Sequence, residues 1–208
     1  MRVFETRDVK PMITLFKSLV LPKCEYCSQL WSPSTIGLIR KLEGVQRFFT
    51  SKINGMRDLN YWERLAKLKL YSMERRRDRY MIIYIYKIIN NLVPNISNDN
   101  HRISTREHPR RGKLCEVPSY NTRAMAYVRT IREGSFSVHA PRLFNILPKD
   151  IRAHSGSTDS FKRRLDEFLR TVPDRPTLPH YYQSAQSNSL LDQVGQQRRD
   201  EMNLYVPT

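Results

Sequence analysis

The sequence predicts a mainly α fold: a helical bundle, then a small C-terminal region and a disordered tail. Apolar residues recur at spacings of three and four in several segments, and such spacing places them on one helical face. A long stretch, Tyr61–Leu92, contains no Gly or Pro and far exceeds a typical strand. Residues 173–208 are rich in Pro, Gln, Ser and Asn, a composition that buries too little apolar surface to offset ordering.

Two helices are predicted before residue 60. The first covers Met12–Trp31, and Pro22 should kink or divide it because proline lacks an amide donor. The second covers Pro33–Ile53 and ends at Asn54-Gly55. Its predicted core face consists of Leu38, Leu42, Val45 and Phe49.

The stretch Tyr61–Leu92 changes character along its length. Asn60 and Glu63 have the spacing of a capping box, which predicts a helix start. Tyr80–Ile89 is apolar and could be a buried strand by propensity, but the breaker-free length favours a helix. If a new helix began near Tyr71, the following arginines would lie against its positive end. Either the helix runs through, or the arginines are kept for a ligand.

The second half of the chain has weaker signals. Residues 93–120 read as a basic linker or loop, and residues 121–172 as a small region ending in a helix. Phe136–Ala140 alternates like a short strand, and the residues that follow form a short helix at most. The last predicted helix is capped by Thr158 or Asp159. Its apolar stripe is Phe161, Leu165, Phe168 and Leu169.

The composition indicates a polyanionic partner. Lys and Arg number 36 against 20 acidic residues, which gives a net charge of +16. Nucleic acid is the leading candidate and an anionic membrane surface the second. No apolar run is long enough to span a bilayer and the N-terminus lacks an apolar signal region, so the protein is expected to be intracellular, nuclear or cytoplasmic, and not secreted.

Residues with catalytic or metal-binding chemistry are sparse. Cys24 and Cys27 have C-x-x-C spacing, but no second pair of ligands follows closely, so a small buried apolar role is preferred to a zinc site. The sequence has neither a nucleophile-elbow nor a phosphate-binding glycine motif. His139 and His154 are interpreted as structural. We therefore predict no catalytic residue, no metal and no cofactor.

The candidate site is a cationic surface interleaved with aromatic residues. The segment Arg64–Arg79 carries an excess of five positive charges, more than internal pairing is expected to absorb. Trp62 and nearby tyrosines could stack on bases, although residues at this spacing are more often core. The predicted phosphate contacts are Lys67, Lys69, Arg75, Arg76, Arg77 and Arg79, supported by Arg110, Arg111 and Lys113.

Four segments resemble the region after the polymerase core in non-LTR, LINE-type (jockey-like) retrotransposon reverse transcriptases. They are TLFKSLVLPKCEYCSQLWSP, LIRKLEGVQRFFTSKI, LNYWERLAKLKLYSMERRRDRYMIIYIYKIINNLVP and REGSFSVHAPRLFNILPKDIRAHSGSTDSFKRRLDEFL. Together they span most of residues 10–171, and their order and spacing are more specific than any one of them. The resemblance implies a thumb-like helical domain over residues 9–92 and a C-terminal extension that grip template RNA and primer DNA.

The departures from that family define the expected function. The chain has no F/Y-A-D-D segment, no palm carboxylates and no endonuclease, so we expect a nucleic-acid-binding fragment that does not polymerise. Binding should be independent of sequence, and a polymerase palm outside this chain is a further possible partner. An inert remnant of a mobile-element reading frame is the alternative, and an active enzyme requires a longer polypeptide. If the chain is an inert remnant, Tyr80–Ile89, which should pack against the missing palm, is expected to leave an exposed apolar patch and to promote aggregation.

Overall fold

The computed structural model of the protein describes residues 6–95, 102–118, 126–176 and 188–204. The described chain is mainly helical, as predicted. It divides into two compact units, Met1–Arg77 and Asp78–Thr208. The division therefore falls inside the segment 9–92 that the sequence assigns to one domain.

The first unit begins with an interrupted helix. Helix α1 (Val9–Leu15) passes into a π-helical turn, Phe16–Val20, and then into α2 (Leu21–Glu25). The change in hydrogen-bond pattern comes immediately before Pro22, which confirms that this proline interrupts the helix. A second break follows at Cys27, whose φ is 50°, before the short helix α3 (Ser28–Trp31).

Two further helices complete the scaffold of the first unit, α4 (Ile36–Thr50) and α5 (Tyr61–Leu68). The predicted capping box of α5 is confirmed. The Asn60 side chain accepts from the amides of Trp62 and Glu63 at 3.0 Å, and the Glu63 carboxylate accepts from the Asn60 amide at 2.9 Å. These bonds satisfy amides that have no partner within the helix.

The buried face of α4 differs from the prediction. Leu38 and Val45 are 53% and 40% exposed, whereas Phe49 is buried. The other buried side chains of this helix are polar: Glu43, Gln46 and Thr50. A polar side chain can occupy a core position when it is hydrogen-bonded, and apolar periodicity alone does not reveal such partners.

The core of the first unit collects residues from each of these segments. Phe16 and Phe49 pack with ring centroids 4.7 Å apart. The remaining buried members of this cluster are Met12, Leu21, Ile53, Met56, Tyr61, Leu65, Leu68, Leu70 and Met73.

The stretch Tyr61–Leu92 is two helices. Lys69 adopts a left-handed conformation with φ of 52°, and α6 (Met73–Ile89) begins after it. The helical interpretation of Tyr80–Ile89 is thereby confirmed. Its expected exposure is not: Ile82, Ile85 and Tyr86 are at most 1% exposed. The apolar half of α6 is thus largely buried by this chain itself, and Tyr84 is 36% exposed.

The predicted basic linker contains an antiparallel hairpin. Strands β1 (Thr105–His108) and β2 (Gly112–Cys115) pair with Thr105 opposite Cys115 and His108 opposite Gly112. Gly112 takes φ of 69°, a left-handed conformation that closes a three-residue turn at low steric cost. With four residues per strand, the hairpin is too short for alternation to show in the sequence.

Helices form the rest of the second unit. They are α7 (Ala126–Gly134), α8 (Phe136–Asn145), α9 (Lys149–Arg152), α10 (Thr158–Thr171) and α11 (Leu190–Leu204). The predicted strand at Phe136–Ala140 is therefore wrong. Val138, Ala140, Leu143 and Phe144 are all buried, a helical repeat that five residues could not reveal. Helix α10 forms as predicted, but Ser157 caps it, one residue before Thr158.

The expectation of a disordered tail over 173–208 is corrected at α11. Leu190 and Val194 are buried, and the Asp78 carboxylate accepts from the Leu190 amide at 2.8 Å. A carboxylate at a helix N-terminus stabilises the helix, and this one lies 112 residues away in sequence. Residues 177–187 and 205–208 of the predicted tail, like 96–101 and 119–125 of the predicted linker and C-terminal region, lie outside the described residues.

Candidate nucleic-acid interface

The structure separates the predicted phosphate contacts into three groups. Lys67, Lys69, Arg110 and Arg111 are exposed. Lys113, Arg76 and Arg79 are half-buried. Arg75 and Arg77 are buried, at 0% and 2% exposure. A phosphate in solution can reach the first group directly and cannot reach the last without a rearrangement of α6.

Two of the arginines of α6 are engaged in ion pairs. The Arg76 guanidinium contacts both carboxylate oxygens of Glu25, the second at 3.2 Å. Arg79 forms a two-bond pair with Asp166, at 2.5 and 2.8 Å. Paired, half-buried guanidiniums hold helices in position and offer less charge to a ligand than exposed ones. Their expected role is thus changed from phosphate contact to structural support.

Arg77 supports the first unit from inside. Its Nε donates to the Ser32 hydroxyl at 3.2 Å, which links the start of α6 to the segment after α3. A buried guanidinium is costly to desolvate, and the Arg77 Nη1 is buried with no hydrogen-bond partner among the described residues. Neither composition nor charge excess distinguishes such an arginine from a surface one.

The positive N-terminus of α6 is occupied by a carboxylate from the chain itself. Glu43 of α4 accepts from the amides of Met73 and Glu74 at 3.1 and 3.3 Å, and from the Tyr61 hydroxyl. This carboxylate compensates the positive end of the helix dipole. The sequence left open whether the N-terminus of α6 needs a ligand. In the structure the Glu43 carboxylate of the same chain occupies that position.

Tyr61 belongs to the core and not to a base-stacking surface. It is 6% exposed, and its hydroxyl also accepts from the Gln46 amide at 3.1 Å. The guanidiniums of Arg47 and Arg64 lie 5.0 and 5.8 Å from its ring centroid. Burial, with Glu43 nearby, raises the pKa of Tyr61. The preference for a core role at this position is supported.

The most exposed part of the predicted interface in the second unit is the hairpin. Arg106, Arg110 and Arg111 are exposed along β1 and its turn, and we call them, with Lys149, the hairpin cation cluster. The Lys149 chain lies over Gly112, 3.0 Å from where a Cβ would stand. His108 Nδ1 accepts from the amides of Arg110 and Arg111 at 3.2 Å, which orders the turn. The cluster stands on ordered backbone, and Glu107, also exposed on β1, is the carboxylate that lies among its cations in the sequence of the strand.

Arg152 holds the hairpin in place, a role that the sequence did not reveal. It is 6% exposed, and its guanidinium donates to three backbone carbonyls: Leu147 at 2.9 Å, Arg111 at 2.8 Å, and Lys113. Burial and nearby Arg111 lower its pKa. The backbone of Arg111 is thus fixed while its side chain faces solvent.

Asn145 provides a second attachment for β2. Its side-chain oxygen accepts from the Cys115 amide and its nitrogen donates to the Cys115 carbonyl, both at 2.8 Å. This pair replaces the ladder bonds that a third strand would make. With Arg152, it explains how a two-stranded hairpin, marginal in isolation, is ordered.

His139 and His154, the histidines that the sequence singles out, are not in a catalytic arrangement. His154 Nε2 lies 2.6 Å from the Ser160 hydroxyl, a contact that could suggest a base and nucleophile. However, the Ser160 hydroxyl donates to the Ser157 carbonyl at 2.8 Å, so His154 must act as the donor toward it. His139 Nε2 lies 3.3 Å from the Asp78 carboxylate. Within the described ranges, no three His, Cys, Asp or Glu residues group as metal ligands.

The cysteines should differ in reactivity. Burial raises the pKa of Cys115 to about 12, whereas Cys27 is exposed. Because the thiolate is the reactive form, an alkylating reagent near pH 8 should modify Cys27 rapidly and Cys115 only after denaturation. Peptide mapping after timed labelling measures this. Equal labelling of both in the folded protein would contradict the described burial of β2.

Comparison of the chain with known protein families, with curated proteins and with solved structures finds no match. No helix in the ranges that the structure describes is long and apolar enough to cross a bilayer.

Proposed function

We propose that the protein is a nucleic-acid-binding module of the non-LTR reverse transcriptase type, acting in the nucleus or cytoplasm without a polymerase or endonuclease site of its own. The observation that carries the proposal is the hairpin cation cluster, whose exposed side chains stand on a backbone fixed by Arg152. A net charge of +16 supports a polyanionic ligand.

The proposed contacts come from exposed cations on each unit. Lys67 and Lys69 lie at the end of α5 in the first unit, and Arg106, Arg110 and Arg111 lie on the hairpin in the second. Cations contact phosphates of any sequence, so binding is proposed to be independent of base identity. Both RNA and an RNA–DNA hybrid present such a backbone.

The buried and paired arginines have a different proposed role. Arg75 and Arg77 lie within the fold, and Arg76 and Arg79 are held by carboxylates. Each fixes α6, and none is proposed to contact phosphate directly. The resemblance to reverse transcriptases stays a proposal that rests on the sequence segments, with a polymerase palm on another polypeptide segment as the proposed partner.

The alternative, an inert remnant, is less well supported. It was expected to expose Tyr80–Ile89 and to aggregate, but those residues are largely buried. A remnant without selection also has no reason to keep a buried arginine bonded to three carbonyls. A cooperative thermal transition of the purified chain would favour the first proposal further.

The proposal is tested by titrating a fluorescein-labelled RNA–DNA hybrid with the full chain and following anisotropy at several salt concentrations. The logarithm of the binding constant should fall linearly with the logarithm of salt, by roughly 0.9 per phosphate contacted on a duplex and roughly 0.7 on a single strand. Hybrids of unrelated sequence should give the same constants. No salt dependence, or no binding, would contradict the proposal.

A further inference from the structure

Helix α4 presents an apolar stripe to solvent that the nucleic-acid proposal does not use. Leu38, Val45 and Phe48 are 53%, 40% and 59% exposed. Leu38, Lys41, Val45 and Phe48 follow one another at spacings of three and four residues, which places them along one side of α4, and Lys52 follows two residues after the end of the helix. We call these five residues the α4 seam. Large apolar side chains grouped in this way commonly mark a protein-binding surface.

The space beside the α4 seam is open. A Cβ at Gly37 or Gly44 would meet nothing within 4 Å, and these glycines, seven residues apart, lie next to Leu38 and Val45. The seam therefore borders a shallow strip without side chains. A strip of this kind lets a second helix approach closely. From Leu38 to Phe48 the helical part of the seam is roughly 15 Å long at 1.5 Å per residue.

The charge of this face selects the partner. The acidic residue of α4, Glu43, is buried, so the charged side chains that α4 exposes, those of Arg40, Lys41 and Arg47, are all cationic, and the half-buried Lys52 follows the helix. Lys52 lies over the Phe48 ring at 4.9 Å from its centroid, which places a cation directly beside the apolar surface. A second copy of the same face would bring like charges together, which disfavours self-association.

We propose that the α4 seam binds an amphipathic helix of another protein, with apolar residues at spacings of three and four and Asp or Glu beside them. The apolar residues of the partner helix would lie over Leu38, Val45 and Phe48, and the carboxylates of the partner helix would pair with Lys41 and Lys52. When an amphipathic helix binds an apolar surface, its anchoring residues recur at positions i, i+3 and i+4, the same spacing as the seam residues. This surface acts independently of the hairpin cation cluster.

The test is a selection from a displayed library of helices with fixed leucines at seam spacing and randomised flanking positions. The bait is the full chain, with counterselection against Leu38→Ser/Phe48→Ser. Selected helices should be enriched in Asp and Glu at the flanks. The double variant should weaken their binding at least tenfold, whereas Leu19→Ser/Leu30→Ser, which removes equally exposed apolar side chains outside the seam, should leave it unchanged.

A charge exchange identifies the contact. Lys41→Glu/Lys52→Glu should weaken the binding of the selected acidic helices. The same variant should bind versions of those helices in which Lys replaces Glu. Failure to enrich acidic flanks, or equal binding by Leu38→Ser/Phe48→Ser, would overturn the proposal. If the chain self-associates and Leu38→Ser/Phe48→Ser abolishes that self-association, the occupant is a second copy and the proposal is overturned. If no helix binds but the chain binds phosphatidylserine vesicles and the same variant abolishes that binding, the occupant is a lipid surface and the proposal is overturned as well.

Discussion

Glu43→Ala is expected to destabilise the first unit by roughly 3–5 kcal/mol, the range for removing one partner from a buried charged network. The carboxylate accepts from the Tyr61 hydroxyl and from the amides of Met73 and Glu74. Alanine leaves these donors buried without that acceptor and removes the negative charge at the positive end of α6. Urea denaturation followed by circular dichroism measures the loss.

Two variants calibrate the Glu43 result. Glu43→Gln keeps one acceptor oxygen and loses the charge, so it should destabilise less than alanine does. Asp58→Ala removes an exposed carboxylate from the same unit and should change the free energy of unfolding by no more than about 0.5 kcal/mol. If Glu43→Ala behaved like Asp58→Ala, the internal carboxylate would not be what stabilises the start of α6.

Arg152→Met is expected to destabilise the second unit by roughly 3 kcal/mol, since it leaves three buried or part-buried backbone carbonyl contacts without their charged donor. Methionine retains much of the side-chain volume, so the loss reports hydrogen bonds more than packing. The hairpin should open locally as well. Hydrogen exchange of the β1 and β2 amides measures the opening, and urea denaturation measures the stability.

The comparison for Arg152 is Arg142→Met on α8, an exposed arginine in the same unit. It removes the same charge and should leave both the stability and the hairpin exchange near wild type. If the hairpin amides exchanged rapidly in both variants, the opening of the hairpin would be due to the loss of positive charge and not to the loss of the Arg152 hydrogen bonds. Slow exchange in Arg152→Met would show that Asn145 alone is enough to attach β2.

Local signals in the sequence were sufficient to predict several structural elements. The capping box at Asn60 and Glu63, the interruption at Pro22 and the stripe of α10 each depend on residues within a few positions of one another. Such patterns act through backbone hydrogen bonds and helical periodicity, which are encoded locally. The mainly helical class followed from them.

The parts that the sequence did not reveal depend on distant partners. Arg76 and Arg79 are neutralised by carboxylates 51 and 87 residues away, so a local charge excess overstated the exposed charge of this segment. The hairpin consists of two short strands fixed by Arg152 and Asn145, which follow them in the chain by about 30 to 40 residues. Helix α11 is likewise capped by distant Asp78. Tertiary contacts of this kind carry no local signature.

The exposed cations of the hairpin and of the end of α5, and not the arginines of α6, are proposed to bind nucleic acid. The most direct measurement compares the salt dependence of hybrid binding for wild type and for Arg110→Ala/Arg111→Ala, with Arg163→Ala/Arg164→Ala on α10 as an equally charged, exposed control. Loss of two phosphate contacts should reduce the slope of log K against log salt by about 1.8 and weaken binding. The control should keep the wild-type slope. An unchanged slope in Arg110→Ala/Arg111→Ala would contradict the account.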